Sequence, residues 1–222
     1  MKKLLLSLAA LFVLCAAQSV KADTLTFTPP DPDVDDLDHH KVYTWRVDNV
    51  NLQGKVITGA RLTFKNIANW DSNPNRLFVH LLDNARSAGI ASFIDDPTDS
   101  SPVTDITDDF VNTRYHNLSN WLVANGTADT FLFDRSFTTT PTTYVYNFTA
   151  AQYQALFAYI MNGGNFAIGF DPDCHFFNDY IKLEIFTANA PPQVPEPATL
   201  VLLGTGLAGL CARRRRKTGR AV

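Results

Sequence analysis

The sequence predicts a mainly β protein: a jelly-roll-like β-sandwich with one or two short helices, between an N-terminal signal and a C-terminal hydrophobic helix. Many short segments alternate apolar and polar residues, turn-forming residues separate them, and aromatic side chains are plentiful, with 16 Phe, 7 Tyr and 3 Trp among 222 residues. A period of two is typical of half-buried strands, and many short strands divided by turns favour a sandwich. No internal repeat suggests a solenoid or a propeller.

Seven segments carry the strand pattern. In 180–186 the apolar residues Ile181, Leu183 and Ile185 alternate with charged ones, so these three are predicted to point inward. The segment 76–82 is continuously apolar enough to be a central strand. The remaining predicted strands are 41–48, 57–64, 130–135, 143–148 and 165–170.

Two segments have helical spacing. In 110–124, apolar residues recur every three or four positions. In 149–162, Thr149 and Gln152 have the spacing of a capping box, and two glycines follow as a stop signal. The sequence therefore predicts a helix over each segment, the second with signals at both ends.

The first 22 residues have the organisation of a secretory signal peptide. Lys2 and Lys3 precede an apolar run, and small or medium residues up to Ala22 suit a signal peptidase, so cleavage is predicted after Ala22. Residues 23–187 are then predicted to form one extracytoplasmic β-sandwich domain, which is within the usual size range of a single domain.

Without its two ends the chain is strongly acidic. The whole sequence has a formal net charge of −3, but between residues 23 and 190 only 10 cations oppose 21 anions, which gives −11. Because such a domain repels phosphates, it is a poor partner for nucleic acid or anionic lipid, and no nucleic-acid partner is predicted. Cys174 is the only cysteine of that stretch, so stability has to come from the core and not from an internal disulfide.

The C-terminal end combines three elements after a proline-rich linker at 188–194. Pro195, Glu196 and Pro197 hold the backbone extended, since proline fixes φ and cannot continue a helix. The uncharged apolar run 198–212 then spans roughly 22 Å as a helix, which is short of a bilayer core of about 30 Å. A cluster of cations that favours the cytoplasmic side completes the segment: Arg213, Arg214, Arg215, Arg216 and Lys217.

This arrangement of VPEP, an apolar run and RRRRK resembles the PEP-CTERM sorting signal of exopolysaccharide-producing, mostly Gram-negative bacteria. The resemblance covers about 28 residues at the end of the chain, and it predicts a sorting and anchor segment at 195–217. It implies transient anchoring by the C-terminal helix, recognition of the PEP element by a membrane enzyme of the exosortase class, and cleavage nearby. The cargo would then reach the cell surface or a biofilm matrix and associate with exopolysaccharide. The alternative interpretation of the segment is an ordinary C-terminal membrane anchor.

Two further resemblances say less about what the protein does. This kind of C-terminal module is also labelled an ice-binding protein C-terminal domain, but the body of the chain lacks the regular Thr-x-Thr array of a flat ice-binding face. The label therefore concerns the tail. The middle of the chain resembles other cargo domains that end in a DPDCHFFND-type loop, and this resemblance implies no particular activity.

The connection 171–179 is the best candidate for a binding site. It holds several oxygen-bearing side chains, which suit a hard cation such as calcium. The candidate ligands are Asp171, Asp173, Asn178 and Asp179. The alternative is a turn in which the Asp side chains cap the backbone. Structural calcium is the only cofactor that the sequence suggests.

Two other polar clusters are less favourable candidates for a metal site or a catalytic site. Adjacent Cys174 and His175 point to opposite faces of a strand, which argues against zinc and against a nucleophile–base pair. The acidic stretch 31–38 lacks the glycine and the distal Glu of an EF-hand loop, so an acidic N-terminal arm followed by solvated His39 and His40 is predicted.

Trp70 is the candidate ligand-binding residue. It lies in the turn 69–75, where its ring either projects to stack on a sugar or folds back over the sheet edge. No G-x-S-x-G, H-E-x-x-H or phosphate-loop motif is present. The leading hypothesis is a non-enzymatic exported protein associated with polysaccharide. The alternatives are a calcium-dependent carbohydrate-binding module and a secreted hydrolase whose site the sequence does not reveal.

Overall fold

The structure, a computed structural model, describes residues 22–39, 41–94, 108–110, 127–190 and 205–206. Residues 205–206 are helical, and between residues 22 and 190 the described part of the chain contains ten strands, one helix and one short turn. They are β1 (Asp23–Phe27), the turn Asp35–Leu37, β2 (Lys41–Val47), β3 (Lys55–Asn69), β4 (Arg76–Leu82), β5 (Gly89–Ile94), β6 (Asp129–Ser136), β7 (Thr142–Asn147), α1 (Ala150–Gly163), β8 (Phe166–Pro172), β9 (Phe176–Phe177) and β10 (Tyr180–Asn189).

The strands form two antiparallel sheets of five strands each. The first has the order β1-β10-β3-β7, with β9 paired to the end of β3, and the second has the order β5-β2-β8-β4-β6. Apart from β5 and β9, each sheet contains four strands, and the chain changes sheets at every step except from β4 to β6. This is the strand arrangement of a jelly roll. The predicted jelly-roll-like β-sandwich is confirmed.

The alternation predicted for β10 is confirmed. Ile181, Leu183 and Ile185 have no exposed surface, while Lys182 and Glu184 between them are partly exposed. β10 pairs with β1 on one side and with β3 on the other, so it is an interior strand of its sheet. Its inward side chains therefore face the second sheet.

Aromatic side chains fill the space between the sheets. The Phe64 ring on β3 lies 6.1 Å from the rings of both Phe133 and Phe170, which belong to the second sheet. The interplanar angles of 90° and 88° are the edge-to-face geometry that aromatic quadrupoles favour. Because each buried ring contributes roughly 1.5–3 kcal/mol, this contact between the sheets is a large part of the core.

The second sheet is also covered on part of its outer face. Phe110 packs there against Val42 on β2 and Ala167 on β8. A Cβ atom at Gly169 would lie 2.4 Å from the Phe110 ring, so a glycine is needed at this point of β8. β2 is therefore buried on both faces. This explains why apolar and polar residues alternate only weakly in the predicted strand 41–48.

Helix α1 begins and ends where the sequence predicts. The Thr149 hydroxyl accepts a hydrogen bond from the Gln152 backbone N–H, and the Thr149 N–H donates to Gln152 Oε1 at 2.8 Å. At the other end Gly164 adopts φ 71° and donates to the Ile160 carbonyl. The predicted capping box and glycine stop are therefore confirmed.

The chain divides into two compact units, and the boundary along the chain falls between Asn189 and Ala190. The predicted domain 23–187 falls two residues short of the end of β10. The predicted signal peptide (1–22), the predicted helix 110–124 and the segment 195–217 lie almost wholly outside the described residues. Within the described ranges, no helix combines the length and the apolar character needed to cross a membrane.

Candidate functional site

A groove of about 480 Å³ opens where the end of β3 meets β9 and the start of β10. Its lining combines aromatic rings with amides and carboxylates. We call it the aromatic groove, and its main residues are Asp36, Asn66, Trp70, Phe177, Asn178 and Asp179. Three residues that the sequence singled out separately, Trp70, Asn178 and Asp179, therefore line one groove.

A β-bulge in β3 shapes this groove by bending the strand. The pairing of β3 with β7 shifts register between Phe64 and Ile67, and Asn66 within the bulge adopts φ 53°. Bulges bend a strand and increase its twist. Beyond the bulge β3 pairs with β9, where Ala68 is opposite Phe177. The bend brings the turn that carries Trp70 next to the 176–179 segment.

Trp70 projects from the surface, with 62% of its side chain exposed. Its backbone N–H donates to the His175 carbonyl at 3.0 Å, and its ring centroid lies 6.3 Å from that of His175. The His175 ring in turn lies 4.6 Å from that of Phe177, which is 43% exposed. Three rings in contact thus form an apolar surface that is open to solvent.

The polar residues around Trp70 stabilise its loop. Asn75 donates to Asn69 Oδ1 at 3.0 Å and to Asp71 Oδ1 at 2.9 Å, and Asn69 donates to the Asn73 carbonyl at 2.8 Å. These side chains bond to one another and hold the turn that presents Trp70.

The first two candidate calcium ligands lie away from the aromatic groove. Asp171 is 2% exposed and accepts the Asp109 N–H at 2.7 Å. Asp173 accepts the Arg76 N–H at 3.2 Å, and its own N–H donates to the Arg76 carbonyl. Each carboxylate therefore stabilises a neighbouring backbone segment.

The other two candidate ligands line the aromatic groove. Asn178 donates from Nδ2 to the Asp33 carbonyl at 2.8 Å, and its backbone N–H donates to Asp36 Oδ1. Asp179 accepts from Asn66 Nδ2 at 2.6 Å. The three carboxylates thus accept hydrogen bonds from separate partners, two outside the groove and one in it. The Asn178 Oδ1 atom is buried and accepts no hydrogen bond from the described residues. Calcium at this loop stays a prediction.

The acidic stretch 31–38 is packed against the domain and is not an exposed arm. Val34, Asp35, Asp36 and Leu37 all have positive φ, between 45° and 57°, which costs non-glycine residues roughly 1–2 kcal/mol each. Val34 and Leu37 compensate for this strain because both side chains are fully buried.

After this turn the chain brings Asp38 and His39 beside His175. Asp38 Oδ1 lies 3.0 Å from His39 Nδ1 and 3.4 Å from His175 Nδ1. Burial opposes the charge on Asp38, but the hydrogen bond from Lys41 and the nearby positive charges outweigh it and lower the pKa of this carboxyl. The sequence analysis missed this cluster, since His175 is distant along the chain and His39 was expected to be solvated.

Two potential reactive groups are unsuited to catalysis. Burial raises the pKa of the Cys174 thiol, so the thiolate is disfavoured. His80 has a carboxylate at each ring nitrogen, with Asp129 2.8 Å from Nδ1 and Asp108 2.9 Å from Nε2. Neither nitrogen is available to accept a proton from a substrate.

The comparisons with known proteins bear on the end of the chain. Residues 193–216 match the family model of the PEP-CTERM protein-sorting motif. The chain carries a PEP-CTERM motif. No curated protein and no solved structure matches the chain.

The PEP-CTERM motif marks an exported protein that is anchored transiently by its C-terminus and sorted by an exosortase-type enzyme. The match includes the predicted sorting residues Pro195, Glu196 and Pro197, and it ends at Arg216, one residue before the end of the predicted basic cluster. The motif says where the protein is sent. What it does there depends on the domain that precedes the motif.

Proposed function

We propose that this protein is a non-enzymatic component of the cell surface or biofilm matrix of a Gram-negative bacterium, where it binds exopolysaccharide through the aromatic groove. Signal peptidase would remove residues 1–22, and an exosortase-class enzyme would process the PEP-CTERM end. The observation that carries the proposal is Trp70, which is 62% exposed and whose ring lies 6.3 Å from the His175 ring.

The chemistry of the groove suits a sugar. The apolar faces of pyranose rings stack on flat aromatic side chains, and Trp70 and Phe177 offer two such surfaces. Asn66 and Asp179 beside them supply amide and carboxylate groups for hydroxyls. Because the domain carries a charge of −11, the favoured ligand is a neutral polysaccharide.

The position of the groove also supports the proposal. β10 begins directly after the groove residue Asp179 and ends at Asn189, where the linker begins. Ten extended residues span roughly 30 Å. The aromatic groove therefore lies at the opposite end of β10 from Asn189, the residue at which the domain ends.

The test is affinity electrophoresis of the purified protein in gels that contain purified neutral exopolysaccharide. Trp70→Ala should weaken binding at least tenfold, which corresponds to about 1.4 kcal/mol. Met161→Ala on α1 is the matched control, because Met161 is equally exposed at 65% and should bind as the wild type does. Equal retardation of the wild type and Trp70→Ala would refute the proposal.

Repeating the gels with calcium and with a chelator tests the calcium-dependent form of this function. Asn178 and Asp179 favour it, because two of the four predicted calcium ligands share the groove with Trp70. If calcium takes part, the chelator should abolish retardation. Retardation that is unchanged by the chelator assigns binding to the aromatic rings alone.

A further inference from the structure

A second cluster next to the aromatic groove has the composition of a metal site. The ligand atoms of Asp38, His39 and His175 all lie within 4.8 Å of one another. Asp38 and His39 follow the strained turn Asp35–Leu37, and His175 follows β8, so two distant parts of the chain contribute. We propose that these three residues bind a divalent transition metal, Zn²⁺ first among them.

Two of the three distances between the ligand atoms fit this ion. Two ligands held by zinc at roughly 2.0–2.1 Å with tetrahedral angles are themselves roughly 3.3 Å apart. The Asp38 carboxylate oxygen lies 3.0 Å from one imidazole nitrogen and 3.4 Å from the other. An ion can therefore be accommodated with small movements of the side chains.

The chemistry of the donors selects the class of metal. Two imidazoles with one carboxylate suit zinc, copper or nickel, whereas calcium and magnesium favour oxygen ligands alone. Three protein ligands leave the fourth tetrahedral position to water or to an external ligand. His39 and Asp38 remain partly exposed, with 48% and 29% of their side chains accessible, so an ion can enter from solvent.

The surrounding groups hold two of the ligands in place. Lys41 Nζ lies 2.9 Å from Asp38 Oδ2, which leaves Oδ1 directed at the two histidines. The Tyr43 hydroxyl accepts the Asp38 N–H at 3.0 Å. His175 is packed between the rings of Trp70 and Phe177. Contacts of this kind orient the ligands of metal sites.

Metal binding at this cluster can be tested without any glycan present. The alternative is a pair of ordinary hydrogen bonds from the two imidazoles to Asp38, and that arrangement would bind no metal. Isothermal titration of tag-free, chelator-treated protein with Zn²⁺ separates the two. We expect saturation at one ion per chain, and Co²⁺ bound at the same site should show the visible absorption of tetrahedral cobalt.

Substitutions of the proposed ligands test whether the ion binds at this cluster. His39→Gln and His175→Gln should each weaken Zn²⁺ binding at least tenfold. Asp48→Asn is the matched control, because Asp48 is a partly buried carboxylate that pairs with Arg46 outside the cluster. His39 is half-exposed, so its replacement should leave the fold intact, which circular dichroism checks. Absence of saturable binding, or equal affinity of His39→Gln and the wild type, would overturn the proposal.

Discussion

At the scale of single residues, His80 is the side chain with the most unusual environment. It is 1% exposed, and its ring stacks on Phe110 at 4.8 Å and meets Phe131 edge to face at 5.2 Å. Burial lowers its pKa, but the hydrogen bonds and charges of Asp108 and Asp129 outweigh burial and raise the pKa to about 9. The imidazolium therefore joins Asp108 and Asp129, from different parts of the chain, to β4.

This pKa predicts how stability depends on pH. The pKa of His80 in the folded protein lies above its value of about 6.5 in the unfolded chain, so its contribution is fully present below pH 6.5 and is lost as pH rises through about 9. The contribution corresponds to about 3–4 kcal/mol. Urea unfolding of the wild type and His80→Gln should show the largest difference near pH 6 and a much smaller one at pH 10. A difference that stays constant over this range would contradict the assignment.

At the scale of the element, Gln152 connects α1 to the sheets. Its Oε1 accepts the Thr149 N–H and the Tyr146 hydroxyl, at 2.8 Å and 2.9 Å. Its Nε2 donates to the carbonyls of Phe131 and Leu132, both at 3.0 Å. One side chain thus completes the capping box and joins the start of the helix to β6.

Removing this side chain should destabilise the domain strongly. Gln152→Leu removes the side-chain partner of the Thr149 N–H and of the Phe131 carbonyl, and one of two donors to the Leu132 carbonyl, which keeps the Tyr146 hydroxyl. We therefore expect a loss of about 2–3 kcal/mol in the free energy of unfolding. Gln154→Leu is the matched control, because Gln154 is exposed on the same helix and should change stability by less than about 0.5 kcal/mol. Urea unfolding followed by circular dichroism measures both. Equal effects of the two substitutions would show that the buried amide is not the cause.

The elements that the sequence predicted are those with local signals. The capping box of α1 and the alternation in β10 depend on residues within a few positions of each other. β1, β5 and β9 were missed because they are short, and their strand conformation depends on pairing with β10, β2 and β3. Long-range pairing leaves little trace in local periodicity.

The candidate site could be predicted only in part, because long-range strand pairing also brings its residues together. Trp70 and the segment with Asn178 and Asp179 were found one at a time, but their meeting in one groove depends on the bulge in β3 and on the β3–β9 pairing. The cluster of Asp38, His39 and His175 was missed altogether, since the strained turn that forms it is held by distant contacts such as that of Asn178 with the Asp33 carbonyl.

At the scale of the whole molecule, the jelly roll brings the two ends of the domain together. Asp23 pairs with Thr187, so the residue after the predicted signal cleavage lies beside the end of β10. The sorting motif begins only a few residues later, in the second compact unit. The start of β1 and the end of β10 therefore lie side by side, and the aromatic groove lies at the other end of β10.

The sorting segment should act independently of the fold that it follows. Replacing Glu196 and Pro197 with Ala removes the charge and one fixed φ of the PEP element, so the exosortase-type enzyme should no longer process the chain. In cells that contain such an enzyme, mass spectrometry should then find the chain with its C-terminus intact, whereas the wild-type chain is shortened.

Pro191→Ala with Pro192→Ala is the matched control, because these prolines lie in the linker just before the matched residues 193–216 and should leave processing unchanged. The Glu196 and Pro197 variant should melt at the same temperature as the wild type, since the domain ends at Asn189. Normal shortening of that variant would show that the PEP element is not what the enzyme recognises. Loss of processing together with a lower melting temperature would show that the segment supports the fold as well.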